Sequence, residues 1–226
     1  MIDLEDVHLK LQSRAGPVDI LRGISFAVKD GEAMAVLGPS GSGKTTLLMV
    51  LAGLERASRG RVTVSGHKLD ALDEDALALF RRDHVGIVFQ SFHLISSMTA
   101  LENVVVPLEL AGHSDAFDRA RAALERAGLG PRLNHYPVEL SGGEQQRVAI
   151  ARAFAPGPGL ILADEPTGNL DSATGEQVID ILFNLRAETG TTLVLITHDE
   201  HLAARCGRTV HIADGRIKDD SARAAE

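Results

Sequence analysis

The residues Gly38-Pro-Ser-Gly-Ser-Gly-Lys-Thr45 follow the pattern Gly-x4-Gly-Lys-Ser/Thr. Glycines at these places let backbone N–H groups close round an anion. A helix starting at the lysine adds the partial positive charge of its N-terminus. The chemistry implied is a phosphate cradle. Lys44 is placed to bridge the β- and γ-phosphates of a nucleotide, and Thr45 to offer its hydroxyl to Mg²⁺. The candidate ATP contacts are Gly38, Pro39, Ser40, Gly41, Ser42, Gly43, Lys44, Thr45 and Thr46. A second group lies far along the chain, where the apolar run Leu160-Ile-Leu-Ala ends in Asp164-Glu165. Open α/β sheets bind ligands at the carboxyl ends of their strands. Asp164 therefore reads as a carboxylate holding Mg²⁺ through water. Glu165, next to it, reads as the group that orients and polarises an attacking water. The alternative for Glu165 is a capping or ion-pairing role in the following turn.

A third group is Leu140-Ser-Gly-Gly-Glu-Gln-Gln146. Ser141 and Glu144 have capping-box spacing and should open a helix to about Phe154. Ser141, Gly142 and Gly143 leave the N–H groups of that helix bare, which makes an anion site. The serine can cap its own helix in one state and meet phosphate in another.

These groups need a scaffold, and the pattern supplies one. Ala33 to Leu37 is a continuous apolar strand of the kind buried on both faces of a parallel sheet, directly before the cradle. Lys44 to Leu54 should be the helix after it, with Gly53 near its end. Further strands are expected over 20–28, 61–65, 85–89, 160–163 and 191–197. Helices are expected over 73–82, 114–127 and 172–188. Asp214-Gly215 signals a hairpin between 209–212 and 216–218. The tail after Asp219 reads as disordered. Strands and helices alternate at both ends, while about 91–155 is mostly helical, so the pattern is an α/β sheet with a helical insertion.

The 226 residues suffice for one domain with a substantial core. No apolar run approaches the length of a membrane span, and the acidic N-terminus lacks a signal's basic region. One cysteine, Cys206, excludes an internal disulfide and reads as a small packed residue. Together these features point to the cytoplasm. The net charge of −8 argues against a bulk electrostatic grip on nucleic acid.

With these motifs the chain resembles the nucleotide-binding subunit of an ABC transporter, and the motif order matches along nearly its whole length. The resemblance implies a P-loop NTPase core sheet, an N-terminal antiparallel β sub-domain and an inserted helical signalling sub-domain at about 91–155. All three would belong to a single domain spanning 1–226. Gln90 matches the Q-loop glutamine, a Mg²⁺ ligand at the ATP site that reports to the membrane subunit. Leu140-Ser-Gly-Gly-Glu144 matches the signature, whose Ser141, Gly142 and Gly143 meet the γ-phosphate held by the opposite subunit. Asp164 and Glu165 match the Walker B aspartate and the catalytic glutamate. Gly168-Asn-Leu-Asp171 matches the D-loop, and His198 the switch histidine at the γ-phosphate. The implied metal ligands are Thr45, Gln90 and Asp164, and the implied catalytic residues are Glu165, His198 and Lys44.

The implied cofactors are ATP and Mg²⁺. The implied partners are a second copy of the chain, in a two-fold ATP sandwich, and an integral membrane permease; nucleic acid is not among them. Closer in, 84–95, 100–103, 163–171 and 202–206 are similar to the branch of lipoprotein-releasing, macrolide-exporting and cell-division ATPases, most of all to the bacterial YbbA-type ATPases. That implies a place on the cytoplasmic face of the inner membrane, driving export or mechanotransmission. The alternative within the branch is a regulator of a periplasmic hydrolase. A soluble DNA-repair or ribosome-associated scaffold fits less well, because the chain has one cassette and no coiled-coil insertion.

Two points stay open. Leu11 falls near the place where many members stack an aromatic residue on adenine, which implies a weaker preference for that base. Phe92, Leu94, Ile95 and Met98 could be helical core or the lip of a groove for a permease helix.

Overall fold

The computed structural model describes residues 1–13 and 16–222. In chain order the strands are β1 (Ile2–Ser13), β2 (Gly16–Val28), β3 (Ala33–Leu37), β4 (Arg59–Val64), β5 (His67–Lys68), β6 (Val85–Phe89), β7 (Leu160–Asp164), β8 (Thr192–Ile196), β9 (Arg208–Ala213) and β10 (Arg216–Ala222). The α-helices are α1 (Lys44–Leu51), α2 (Glu74–His84), α3 (Ala100–Leu110), α4 (Ala116–Arg126), α5 (Gly142–Phe154), α6 (Ser172–Thr189) and α7 (Glu200–Ala203). The chain divides into two compact units, one of 1–81 with 192–226 and one of 82–191.

The first unit holds an antiparallel sheet in the order β2-β1-β4-β5. In β1, Ile2, Leu4, Val7 and Leu9 are buried. The alternation slips between Leu4 and Val7, where the pairing register shifts and Asp6 takes a φ of 47°. That bulge hides the strand from a period-two reading. The same unit holds β3 between β8 and β9, both parallel to it. All five residues of β3 and all five of β8 are buried, as expected of strands covered on both faces.

The β9–β10 hairpin turns at Asp214-Gly215, both at positive φ. β10 corrects the expected disorder after Asp219, because the strand runs on to Ala222. The cause is a side chain. Arg208 on β9 donates from Nε and Nη2 to the two carboxylate oxygens of Asp220, at 2.7 and 2.6 Å. This pair tethers a segment with little apolar content of its own. Residues 223–226, the rest of that expected tail, lie outside the described residues.

In the second unit β6 and β7 pair in parallel. Gly86 in β6 has no room for a side chain: a Cβ there would lie 2.4 Å from the Ala153 carbonyl oxygen of α5. Helices α3, α4 and α5 share a core that includes Leu101, Val104, Leu108, Ala120, Leu124 and Val148. Helix α4 starts at Ala116, two residues after the expected Ser114. Its N-terminal flank is Asp115, which pairs with Arg119 one turn on. Leu94 packs against this helical core, and Ile95 stays 42% exposed. Cys206, in the first unit, is buried.

Candidate functional site

The loop from Gly38 to Gly43 joins the end of β3 to the start of α1, where the sequence placed a cradle. The glycines are there for close approach. A Cβ on Gly38 would lie 2.0 Å from the Ile212 carbonyl oxygen of β9, and one on Gly43 would lie 3.1 Å from the Ile20 carbonyl oxygen of β2. The loop is also tied from below, because the Gly215 amide donates to the Ser42 carbonyl at 3.1 Å. Lys44 is buried and donates from Nζ to the Gly38 and Pro39 carbonyls, at 2.8 and 2.9 Å. Its ammonium is thus folded back over the loop. Ser42 is buried and its hydroxyl has no hydrogen-bond partner. Pro39, Ser40, Gly41 and Thr45 are exposed, and Thr46 is half-buried. His198 follows β8 in the same unit. It is exposed, between Thr197, whose Oγ1 accepts from the Asp199 amide at 3.0 Å, and Asp199, which caps α7.

In the second unit Asp164 is the last residue of β7 and is 9% exposed. Glu165 is half-buried with a φ of 46°, a conformation that costs a non-glycine residue about 1–3 kcal/mol. Strain of this kind collects at working sites. Ser141 is the N-cap of α5, and the full capping box is present. Its Oγ accepts from the Glu144 amide at 3.2 Å, while its own amide donates to Glu144 Oε2 at 2.8 Å. Ser141 is exposed, Gly142 half-buried and Gly143 buried. A Cβ on Gly143 would lie 2.3 Å from Thr174 Cγ2 of α6, so the signature glycine lets two helices meet.

Glu144 does more than cap. Arg132 Nε donates to its other oxygen at 2.8 Å. Arg132 first, and the Ser141 amide second, lower the carboxyl from an ordinary 4.5 to about 2. A depressed carboxylate stabilises the fold above its unfolded value and loses that contribution as pH falls. The contribution is full above about pH 4.5 and fades towards pH 2. Glu144→Gln should therefore flatten the fall in melting temperature between pH 6 and pH 3. The part removed is about 1–2 kcal/mol, because Arg132 is partly exposed and screened. Equal acid sensitivity in both proteins would refute this.

Gln90 is exposed at the end of β6, and the segment after it is held by side chains the sequence did not single out. Gln146 Nε2 donates to the Phe89 carbonyl at 3.3 Å. Arg152 donates to the Phe92 and His93 carbonyls, at 2.8 and 2.6 Å. Asn103, 1% exposed, accepts from the Ile95 amide at 2.7 Å and donates to the Ile95, Met98 and Thr99 carbonyls. A local signal for part of this existed. Thr99-x-x-Glu102 before an apolar run is a capping-box pattern, and the box is formed. The reach of Gln146 and Arg152 back to 89–93 had no local signal.

The donor chemistry suits Mg²⁺. Thr45, Gln90 and Asp164 offer oxygen only. Among the described residues no group of three or more His, Cys, Asp or Glu is placed to hold a metal ion by itself. Mg²⁺ is ordinarily held by one or two carboxylates together with substrate phosphates.

Comparison with known proteins shows the family and the fold. The sequence profile of the ABC transporter family matches residues 21–168. The chain is 51% identical over 218 residues to the uncharacterized ABC transporter ATP-binding protein YbbA of Escherichia coli K12, covering 95% of this chain and 96% of that one. It is 50% identical over 222 residues to the lipoprotein-releasing system ATP-binding protein LolD of Geobacter metallireducens, covering 97% and 99%. Among solved structures it superposes on the ATP-binding cassette MJ0796, a dimer in a post-hydrolysis state with ADP and Pi. That match has a TM-score of 0.92 and 39% identity and covers all of both chains. A buried lysine folded over a glycine loop and a capped helix start with an exposed serine are thus set in the fold of a known nucleotide-hydrolysing cassette, and the chain belongs to the ABC transporter family as one of its ATPase subunits.

Proposed function

We propose that two copies of this chain clasp two ATP molecules between them and, in closing and reopening, drive a permease in the bacterial inner membrane. In this reading each copy supplies half of each reaction centre. The loop 38–46 holds the phosphates, and Lys44 turns its ammonium from the Gly38 and Pro39 carbonyls to the β- and γ-phosphates. Thr45, Gln90 and Asp164 would hold Mg²⁺, which when bound neutralises charge on the phosphates. Glu165 accepts a proton from the attacking water, and His198 contacts the γ-phosphate. Ser141, Gly142 and Gly143 of the other copy close over that phosphate. The 91–155 segment would carry the signal to the permease.

The observation that carries this reading is the state of Ser141. It is exposed at the start of a 13-residue helix, and among the described residues its hydroxyl is engaged by its own capping box alone. A helix N-terminus in that condition is an anion site, and the dimeric relative with ADP and Pi fits such use. No described helix is long and apolar enough to cross a membrane. Work on a membrane would then be done through a partner, with the chain peripheral on the cytoplasmic face. On the adenine side, Leu11 pairs with Val18 across β1 and β2, and the two exposed side chains offer an aliphatic surface.

The test is hydrolysis per chain against chain concentration at saturating ATP and Mg²⁺. The rate per chain should rise with concentration and level off as sedimentation shows dimer. A rate per chain that stays constant down to concentrations where only monomer sediments would end the two-copy reading.

A further inference from the structure

Gln90 and Asn169 lie 79 residues apart and face each other with their amides. Gln90 Nε2 donates to Asn169 Oδ1 at 3.2 Å, and Asn169 Nδ2 donates to the Gln90 backbone carbonyl at 3.0 Å. An amide side chain can ordinarily be turned end for end without changing its shape. Here the ambiguity is removed by one atom. The backbone carbonyl of Gln90 can only accept, so Asn169 must bring its NH₂ to it. That leaves Asn169 Oδ1, a pure acceptor, facing the Gln90 side chain. Gln90 must then answer with its own NH₂, and its Oε1 is the end left for another partner.

A second observation supports a built arrangement. A Cβ on Gly168 would lie 2.5 Å from Gln90 Nε2 and 2.9 Å from its Cδ. The Gln90 amide thus lies against the backbone of the residue before Asn169, where a side chain would push it aside. Gly168 leaves the space that the amide occupies, and Asn169 sets its turn.

We infer that Asn169 is a positioning residue whose amide orients Gln90 so that the glutamine's oxygen, and not its nitrogen, is presented to a divalent cation at the nucleotide. This rests on the reading of Gln90 as a ligand given above. Oxygen presented in advance removes the cost of turning the amide on binding. Partners that orient a metal ligand are commonly worth tenfold or more in metal affinity.

The experiment measures ATP affinity in the non-hydrolysing Glu165→Gln background, once with saturating Mn²⁺ and once in EDTA. The ratio of the two affinities reads how strongly the metal is held. Both Asn169 and Gln90 are exposed, so their substitution should leave the fold intact; an unchanged melting temperature for each variant, and for Asn169→Ala an EDTA affinity within about twofold of the parent, check this. Asn169→Ala should shrink the ratio about tenfold. Gln90→Ala should shrink it at least as much, and the double variant should be no worse than Gln90→Ala alone. A ratio unchanged in Asn169→Ala overturns the inference while the ligand reading stands. Losses that multiply in the double variant also overturn it, since Asn169 would then act apart from Gln90. A ratio unchanged in Gln90→Ala overturns both.

Discussion

Glu165→Gln should lower ATP turnover by at least a hundredfold, leave ATP binding within a few-fold, and hold the chain as a stable dimer whenever ATP is present. The expectation follows from what the substitution removes. Glutamine keeps the size and the hydrogen-bonding reach of Glu165 but cannot take a proton. Proton transfer by a positioned carboxylate is worth roughly 10²–10⁴ in rate. The backbone conditions also favour a working side chain. Glu165 directly follows the buried end of β7 and holds φ at 46°, and its carbonyl accepts from the Gly168 amide at 3.0 Å to close the turn. A residue used only for capping could satisfy that turn without strain. The trapped dimer has a separate cause: removing one negative charge beside the γ-phosphate relieves repulsion in the closed state, while the step that would reopen it is blocked. Two measurements decide the matter, phosphate release at saturating ATP and sedimentation with and without ATP. Hydrolysis surviving within a few-fold would return Glu165 to a structural role. Lost hydrolysis without a dimer would keep the base and break the link to closure.

The parts of this site that were legible in the sequence are those whose chemistry is local. The loop at 38–45 is read from eight consecutive residues and lies between a strand and a helix; the capping box at Ser141 is read from four and is formed. Buried strands such as β3, β7 and β8 show as apolar runs because both faces are covered. What escaped depends on distance along the chain. β1 was hidden by a bulge at Asp6 that breaks its period. β10 was cut short because its last residues are polar, and Arg208, twelve residues upstream, is what orders Asp220. The clamp on the segment after Gln90 uses Asn103, Gln146, Arg152 and Asn169. No spacing rule connects these residues, since each reaches the segment only once the helices and the 168–171 loop have packed. Side-chain bonds to backbone carbonyls across such gaps leave no periodic trace.

The largest expected effect from a single methyl group is at Gly38. Gly38→Ala should weaken ATP binding about a hundredfold or more, with the fold retained, and Gly157→Ala should leave binding unchanged. Both glycines hold a positive φ, 158° at Gly38 and 75° at Gly157, so a general penalty on replacing glycine does not separate them. What separates them is what the new methyl meets. At Gly157, with φ at 75°, nothing lies within 4 Å, and the cost is the left-handed conformation alone, about 1–2 kcal/mol of stability. At Gly38 the methyl would lie 2.0 Å from the Ile212 carbonyl oxygen and 2.9 Å from Ser42 Oγ. Ile212 is on β9, which pairs with β3 itself, so the strand cannot give way without disturbing the sheet. The loop must move instead, by an ångström or more. It carries with it the Gly38 carbonyl that receives Lys44 Nζ and the backbone amides that, on the proposed function, hold phosphate. A misplacement of about 1 Å in a positioned site is enough to cost roughly a hundredfold. Calorimetric titration of ATP, beside a melting curve for each protein, checks both halves of the comparison. Gly38→Ala binding ATP as tightly as the parent would mean that the loop does not depend on its seat against β9. Gly157→Ala losing ATP as well would mean that turn strain anywhere in the chain, and not the Ile212 carbonyl, is what the cradle feels.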